Sequence, residues 1–189
     1  MNRIISRLLA LLAAFLMLTS VAACKQYPER ISFYGSSAFH RWPVEIGNVS
    51  LNGVYIRALG NGGATIGLPK NNNKEVISIE ISWVEFYSKQ SFAASFDIPV
   101  VQVTGSRDLP EMPIVKILIG RHGEITVLGP VQGSGYEDIE ILRLCGKRTP
   151  ENDASFADEL EYLAANTNYN DPKRLALPLP DSSCPAPGH

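Results

Sequence analysis

The sequence predicts an α+β fold that is mainly antiparallel β, a sandwich-like sheet with one C-terminal amphipathic helix. Apolar and polar side chains alternate along Val76–Trp83, which is typical of a strand with one face in the core. Asn52-Gly53 separates two β-prone runs and favours a hairpin, because both residues tolerate positive φ. Residues 154–166 instead place apolar side chains at helical spacing. Strands followed by a single helix are typical of this fold class.

The predicted strands follow one another with turn residues between them. A four-residue loop, Gly120–Gly123, joins two of the runs and predicts a second hairpin. The predicted strands are Ile31–Tyr34, ended by Gly35–Ser37; residues 44–49; Val54–Leu59; Val76–Trp83; the alternating Phe92, Ala94 and Phe96, ended by Asp97–Pro99; Ile114–Ile119; Glu124–Leu128; and Ile139–Leu144.

The remaining segments are predicted from turn and cap chemistry. Residues 60–74 contain clustered glycines and three consecutive asparagines, so we expect a flexible loop. The glycines lack the lysine and Ser/Thr of a phosphate-binding loop. Trp83 continues an apolar face and is predicted to be core, and the loss of alternation over Trp83–Tyr87 predicts a bulge or a strand end. Asp153 is the expected cap of the helix.

Residues 1–23 have the pattern of a leader. Arg3 and Arg7 precede an apolar run of about 11 residues, shorter than the roughly 20 that a helix needs to cross a bilayer. Val21–Cys24 looks like a bacterial lipobox, which would place a covalent lipid on Cys24 after cleavage. An ordinary cleaved signal peptide and a retained membrane anchor are the alternatives. Residues 24–30 are then the lipidated cysteine and a spacer, and residues 31–189 a single β-rich domain with a proline-rich tail.

Charge restricts the partners of this domain. The leader holds two of the 17 Lys+Arg and none of the 19 Asp+Glu, so the rest of the chain has a formal charge of −4. A mildly acidic domain without a basic cluster argues against nucleic acid and against electrostatic attraction to anionic lipid. The lipid on Cys24 would be the tether, and Lys25 stands where aspartate would favour the inner membrane. We therefore expect an outer-membrane lipoprotein of the bacterial cell envelope, facing the periplasm.

Cys145 and Cys184 are the two thiols left if Cys24 carries lipid. Only one intramolecular pairing is then possible, and an unstrained loop of that size should contribute roughly 3–4 kcal/mol. Free or intermolecular thiols are the alternative. Neither cysteine has a partner at zinc-like spacing, so no metal site is expected, and no cofactor beyond the covalent lipid.

The sequence has few residues in arrangements that are typical of a catalytic site. The histidines are His40, His122 and His189, and the chain has neither a Gly-x-Ser-x-Gly elbow nor a His-Glu-x-x-His motif. We therefore predict a protein that is not an enzyme, with a hydrolase using His40 or His122 as a weak alternative. The acids around Tyr136 could act as paired carboxylates or simply line a solvated loop.

Recognition loops are the better candidates. A tyrosine within an acidic, glycine-flanked loop suits a protein interface, because aromatic anchors supply much of the affinity there. The predicted partner-binding residues are Asn61, Asn72, Tyr136, Glu137 and Asp138.

The order of motifs over residues 30–130 resembles a family of bacterial envelope lipoproteins defined by a domain of unknown function. The motifs are Trp42–Glu45 leading to Val54–Leu59 and a Gly-Gly pair, Ile79–Trp83, Phe92–Pro99, and the hairpin Ile114–Leu128 with Gly129-Pro130. Some members of such families resemble periplasmic immunity proteins against type VI secretion effectors, notably antibacterial phospholipases. The resemblance implies that this chain binds and neutralises such an effector. A general envelope lipoprotein that binds a small ligand or an envelope component is the alternative.

Overall fold

A computed structural model describes residues 30–38, 42–57, 63–67, 76–100, 103, 112–131, 133, 135–165, 173, 176, 178–179 and 181–187. Several predicted features lie outside the described residues: the leader, the expected lipid site Cys24, the loop residues Asn61 and Asn72, and His40 and His189. Within the described part of the chain, no helix is both long enough and apolar enough to cross a bilayer.

In the described part of the chain, ten strands form two five-stranded sheets, as expected for a mainly antiparallel β fold with one late helix. Sheet A has the order β4-β1-β7-β8-β9, and sheet B the order β10-β6-β5-β2-β3. Both predicted hairpins, β2–β3 and β7–β8, are confirmed. The strands are β1 Arg30–Ser37, β2 Val44–Leu51, β3 Val54–Arg57, β4 Gly63–Gly67, β5 Val76–Glu85, β6 Gln90–Pro99, β7 Ile114–Ile119, β8 Glu124–Pro130, β9 Asp138–Cys145 and β10 Lys147–Arg148.

One apolar core lies between the two sheets. Alternate residues of each strand face it, because side chains point to opposite faces of a strand with a period of two. Trp83 on β5 is fully buried, as predicted, and stacks on Phe92 of β6 with ring centroids 5.8 Å apart. Sheet A contributes residues such as Phe33, Ile117 and Val127, which are also fully buried. β5 ends at Glu85, where the alternation is lost in the sequence.

The C-terminal helix begins differently from the prediction. Pro150–Phe156 forms a 3₁₀ helix, and α1 continues it over Ala157–Ala165. Phe156 packs against the outer side of sheet B at Gly47, where an added Cβ would lie 2.5 Å from the ring. The prediction of Asp153 as the helix cap is wrong. Its carboxylate instead accepts hydrogen bonds from the Ser91 hydroxyl and amide and pairs with Arg148, so it fastens the 3₁₀ helix to β6.

Pairing between strands that are distant in sequence contradicts two further predictions. The first strand does not end at Gly35, because β1 runs on to Ser37 in a parallel pair with β7. Gly63–Gly67, expected within a flexible loop, is a strand that pairs antiparallel with β1. β1 therefore has a neighbour on each side, and these ladders override the local turn preference of glycine and serine.

Candidate interaction surface

The outer face of sheet A is the surface that carries the predicted recognition loop. Register places Tyr34 beside Lys116, Lys116 beside Leu128 and Leu128 beside Glu140, in one row across four strands. Tyr34 points outward between two buried neighbours on β1 and is 40% exposed. The 3₁₀ helix lies against sheet B.

A β-bulge in β9, the edge strand of sheet A, builds a charge array on this face. Val127 pairs with Leu142 and Leu128 with Glu140, so Ile141 is the extra residue. Glu140 and Arg143, three positions apart, would point to opposite faces of a regular strand, but the bulge brings them to the same face. Arg143 then bridges Glu140 and Glu124, with Nη2 to Oε2 of Glu140 at 2.6 Å and Nη1 to Oε1 of Glu124 at 2.8 Å.

The charge array consists of Glu124, Arg143 and Glu140, and these side chains differ in how far they are buried. The side chain of Glu124 is 6% exposed, whereas that of Arg143 is 46% exposed. The hydrogen bond from Arg143 lowers the pKa of the Glu140 carboxyl, and the same bond raises the pKa of Arg143. Glu140 and Arg143 therefore stay charged at neutral pH and form a fixed ion pair at the surface.

The loop before β9 presents an aromatic side chain beside this array. Tyr136 is 50% exposed and has a φ of 72°, a left-handed conformation that non-glycine residues seldom adopt. Asp138, the first residue of β9, pairs with Lys116 of β7 and anchors the loop to the sheet. Ile139 follows and is also exposed. Strained backbone held in place by surrounding contacts is common at binding sites.

The structure thus brings together three of the five predicted recognition residues. Tyr136, Glu137 and Asp138 are all exposed at one end of sheet A. Sequence reasoning missed Tyr34 and Lys116, which share a row with Leu128 and Glu140 on the same face. The available signal was the alternation around Tyr34 in the first strand, since an aromatic residue between inward-facing positions must point outward.

A second polar cluster surrounds Glu85 at the opposite end of the sandwich. Its fully buried carboxylate accepts hydrogen bonds from the Gly123 amide at 2.7 Å and the Ser88 hydroxyl at 3.0 Å. Burial raises the pKa of Glu85 to about 6, opposed by these hydrogen bonds, by Trp42 and by the charge of Arg121. The indole Nε1 of Trp42 favours the ionised form without reaching hydrogen-bond geometry with any described residue.

Glu85 holds the turn between β7 and β8. This turn is the 3₁₀ segment Arg121–Gly123, in which His122 has a φ of 60° and Gly123 a φ of 78°. An added Cβ at Gly123 would lie 2.6 Å from the Phe92 ring, so glycine is required there. Since both carboxylate oxygens of Glu85 are engaged inside the protein, the arrangement fits a structural role better than proton transfer to a substrate.

The two cysteines of the domain lie together. The sulfur atoms of Cys145 and Cys184 are 2.00 Å apart, a bonding distance, and join the end of β9 to the C-terminal segment. Among the described residues, no group of three or more His, Cys, Asp or Glu side chains could hold a metal ion. No protein-family model, curated protein or solved structure matches the chain.

Proposed function

We propose that this protein is a lipid-anchored periplasmic immunity protein that binds and neutralises a type VI secretion effector of the phospholipase class. The observation that carries the proposal is the outer face of sheet A, where Tyr34 and Tyr136 flank fixed charge pairs. The lipobox at Val21–Cys24 and the resemblance over residues 30–130 support the compartment and the class of partner.

The physical features of this face suit an inhibitor. Tyrosine offers a large contact area with few rotatable bonds, so little conformational entropy is lost when it is buried at an interface. The charges of Lys116, Asp138, Glu140 and Arg143 are already paired on rigid strands. A partner therefore meets a surface that needs little reorganisation, which favours tight binding.

A lipid at Cys24 explains where such an inhibitor would act. An effector that attacks phospholipid from the periplasm must be met at the membrane, outside the cytoplasm. Neutralisation requires only that a rigid surface occupies the effector, so it makes no demand for catalytic residues in the inhibitor.

The test combines protection with direct binding. Sensitive cells that receive the effector encoded nearest to this gene should survive when they express the full chain, and Cys24→Ser should move the protein out of the membrane fraction. Y34A and Y136A should each weaken effector binding by about tenfold, since an anchor residue is worth more than about 1 kcal/mol. Tyr162→Ala is the matched control, because Tyr162 is 67% exposed on α1, away from sheet A.

Two results would contradict the proposal. One is the absence of both a complex and protection with the unmodified chain. The other is equal loss of binding in Y162A and in the sheet A variants, since the interface would then lie elsewhere. An effect of His122 replacement on a hydrolytic activity, without unfolding, would favour an enzyme instead.

A further inference from the structure

The C-terminal segment Asp181–Pro187, called the strap from here on, is fastened to the far end of sheet A. Its disulfide joins Cys184, which is buried, to Cys145, the last residue of β9. The Ser182 hydroxyl donates a hydrogen bond to the carbonyl of Arg121 at 2.6 Å and accepts one from the Cys184 amide at 3.0 Å. The strap therefore lies against the turn that precedes β8.

A second serine links the strap to the charge array. The Ser183 hydroxyl donates to Oε1 of Glu124 at 2.7 Å, and the same oxygen accepts from Nη1 of Arg143 at 2.8 Å. Glu124 is thus fixed between the strap and β9, and its carboxylate is kept from water. Without the strap, Glu124 would be hydrated and Arg143 would be held mainly by Glu140, whose side chain is 42% exposed.

We infer that the strap controls the binding face through the oxidation state of Cys145 and Cys184. When the disulfide is closed, the strap fixes Glu124 and the charge array has one arrangement. When it is open, nothing covalent keeps the strap at the end of β9, and the array loosens. This inference rests on the proposed function only in identifying the array with an effector-binding surface.

The redox step involves two electrons and an ordinary exchange reaction. A dithiol reductant attacks the Sγ of Cys145, the more exposed of the two residues, which forms a mixed disulfide and releases the thiolate of Cys184. The second thiol of the reductant then closes its own disulfide and releases Cys145. Two electrons and two protons pass to the protein, which ends as two thiols. An oxidant in the envelope that itself carries a disulfide reverses these steps and closes the bond between Cys145 and Cys184 again.

The disulfide, and with it the fixed arrangement of the charge array, would form only after export of the protein. Thiols stay reduced in the cytoplasm and pair in the periplasm. The array would therefore take its binding arrangement only in the compartment that the effector enters.

The experiment follows the full-length protein, purified in detergent, in its oxidised form and after reduction with dithiothreitol. Amide hydrogen exchange of residues 121–125 and 140–145 should accelerate on reduction, while that of Val76–Glu85 stays unchanged. The Kd for the effector should rise about tenfold, the loss of one charge-assisted hydrogen bond. Reoxidation with diamide should restore both values.

Ser183→Ala keeps the disulfide and removes only the hydroxyl that touches Glu124. It should accelerate exchange at Glu124 and Arg143 in the oxidised protein, whereas Ser95→Ala, an exposed serine on β6, should not. If reduction also unfolds β5, the exchange rates of Ser183→Ala still show whether the strap fixes the charge array.

Unchanged exchange in β9 on reduction and in S183A would overturn the inference. Altered exchange with an unaltered Kd would also overturn it, because the face would then be independent of the strap. An oxidised protein that binds no effector would refute the proposed function, and the exchange data would still decide whether the strap fixes the array.

Discussion

Replacing Glu85 by glutamine should change how the stability of the protein depends on pH. The carboxyl group is fully buried at the end of β5, and burial raises its pKa to about 6. Glutamine has nearly the same shape and keeps an oxygen that can accept the Gly123 amide hydrogen. The Ser88 hydroxyl can turn to accept from the new amide group. The substitution therefore removes the titration while it keeps most of the packing.

The direction in which stability changes with pH follows from proton binding to Glu85. Between pH 4.5 and pH 6 the folded protein holds the Glu85 proton more often than the unfolded chain does. Its contribution to stability is therefore complete below pH 4.5 and is lost as the pH rises through about 6. The difference between a pKa of 4.5 and one of about 6 corresponds to about 2 kcal/mol. Glu45, whose pKa is raised by burial and by Glu159, acts in the same direction and is unchanged in E85Q.

The assay is urea unfolding of the disulfide-bonded protein at pH values from 4 to 8. The free energy of unfolding of E85Q, minus that of the parent protein, should become more positive by about 2 kcal/mol between pH 4 and pH 7.5. Ser78→Ala, on the exposed side of the same strand, is the control and should show a constant difference, because it removes no titrating group. A constant difference for E85Q as well would refute the assigned pKa and the reasoning from burial.

Two further substitutions test the packing and the salt bridge that surround sheet B. Gly146→Ala should destabilise the protein by about 1–3 kcal/mol in urea unfolding, because the new Cβ would lie 2.4 Å from the Trp83 ring; stability equal to that of the parent would contradict this packing. Asp153→Asn should cost roughly 1 kcal/mol at pH 7, reduced by solvent screening at a partly exposed pair. Its deficit should shrink as the pH falls from about 4 through about 2, since hydrogen bonds from Arg148 and Ser91 lower the pKa of Asp153 to about 2; a deficit as large at pH 2 as at pH 7 would assign the effect to packing.

The strands that were predictable are those with one buried face. Along Ile77–Trp83 the buried and exposed positions alternate as the sequence indicates, because each polar residue faces outward and each apolar one faces the core. β4 could not be found this way. Gly63–Gly67 has little local preference for a strand, and the ladder with β1 supplies the stability. The parallel pair β1–β7 joins Ser32 to Ile114, and no local pattern encodes a contact at that distance.

Only part of the candidate surface was predictable, because its residues lie on several strands and the local sequence does not encode how those strands pair. Tyr136 and its acidic neighbours stand out in composition, so the loop could be identified. Arg143 could not be assigned to this face from its spacing, because only the bulge at Ile141 turns it toward Glu140. Lys116 joins the surface through strand register, which depends on the whole sheet.

The parallel pairing of β1 with β7 also orients the sandwich relative to a tether at its N-terminus. Arg30, the first residue of β1, follows Cys24 by six positions, a reach of about 20 Å at most. Ser32 lies beside Ile114, and β8 ends at Pro130 opposite Asp138, so the Tyr136 loop lies at the end where β1 begins. A lipid on Cys24 would attach the sandwich to the membrane at the end that carries this loop, whereas the strap lies at the other end of β9, about 25 Å away. If the proposed effector binds at Tyr136, it would then lie between this protein and the bilayer, and its approach to the lipid surface would be obstructed without any contact inside its catalytic cleft.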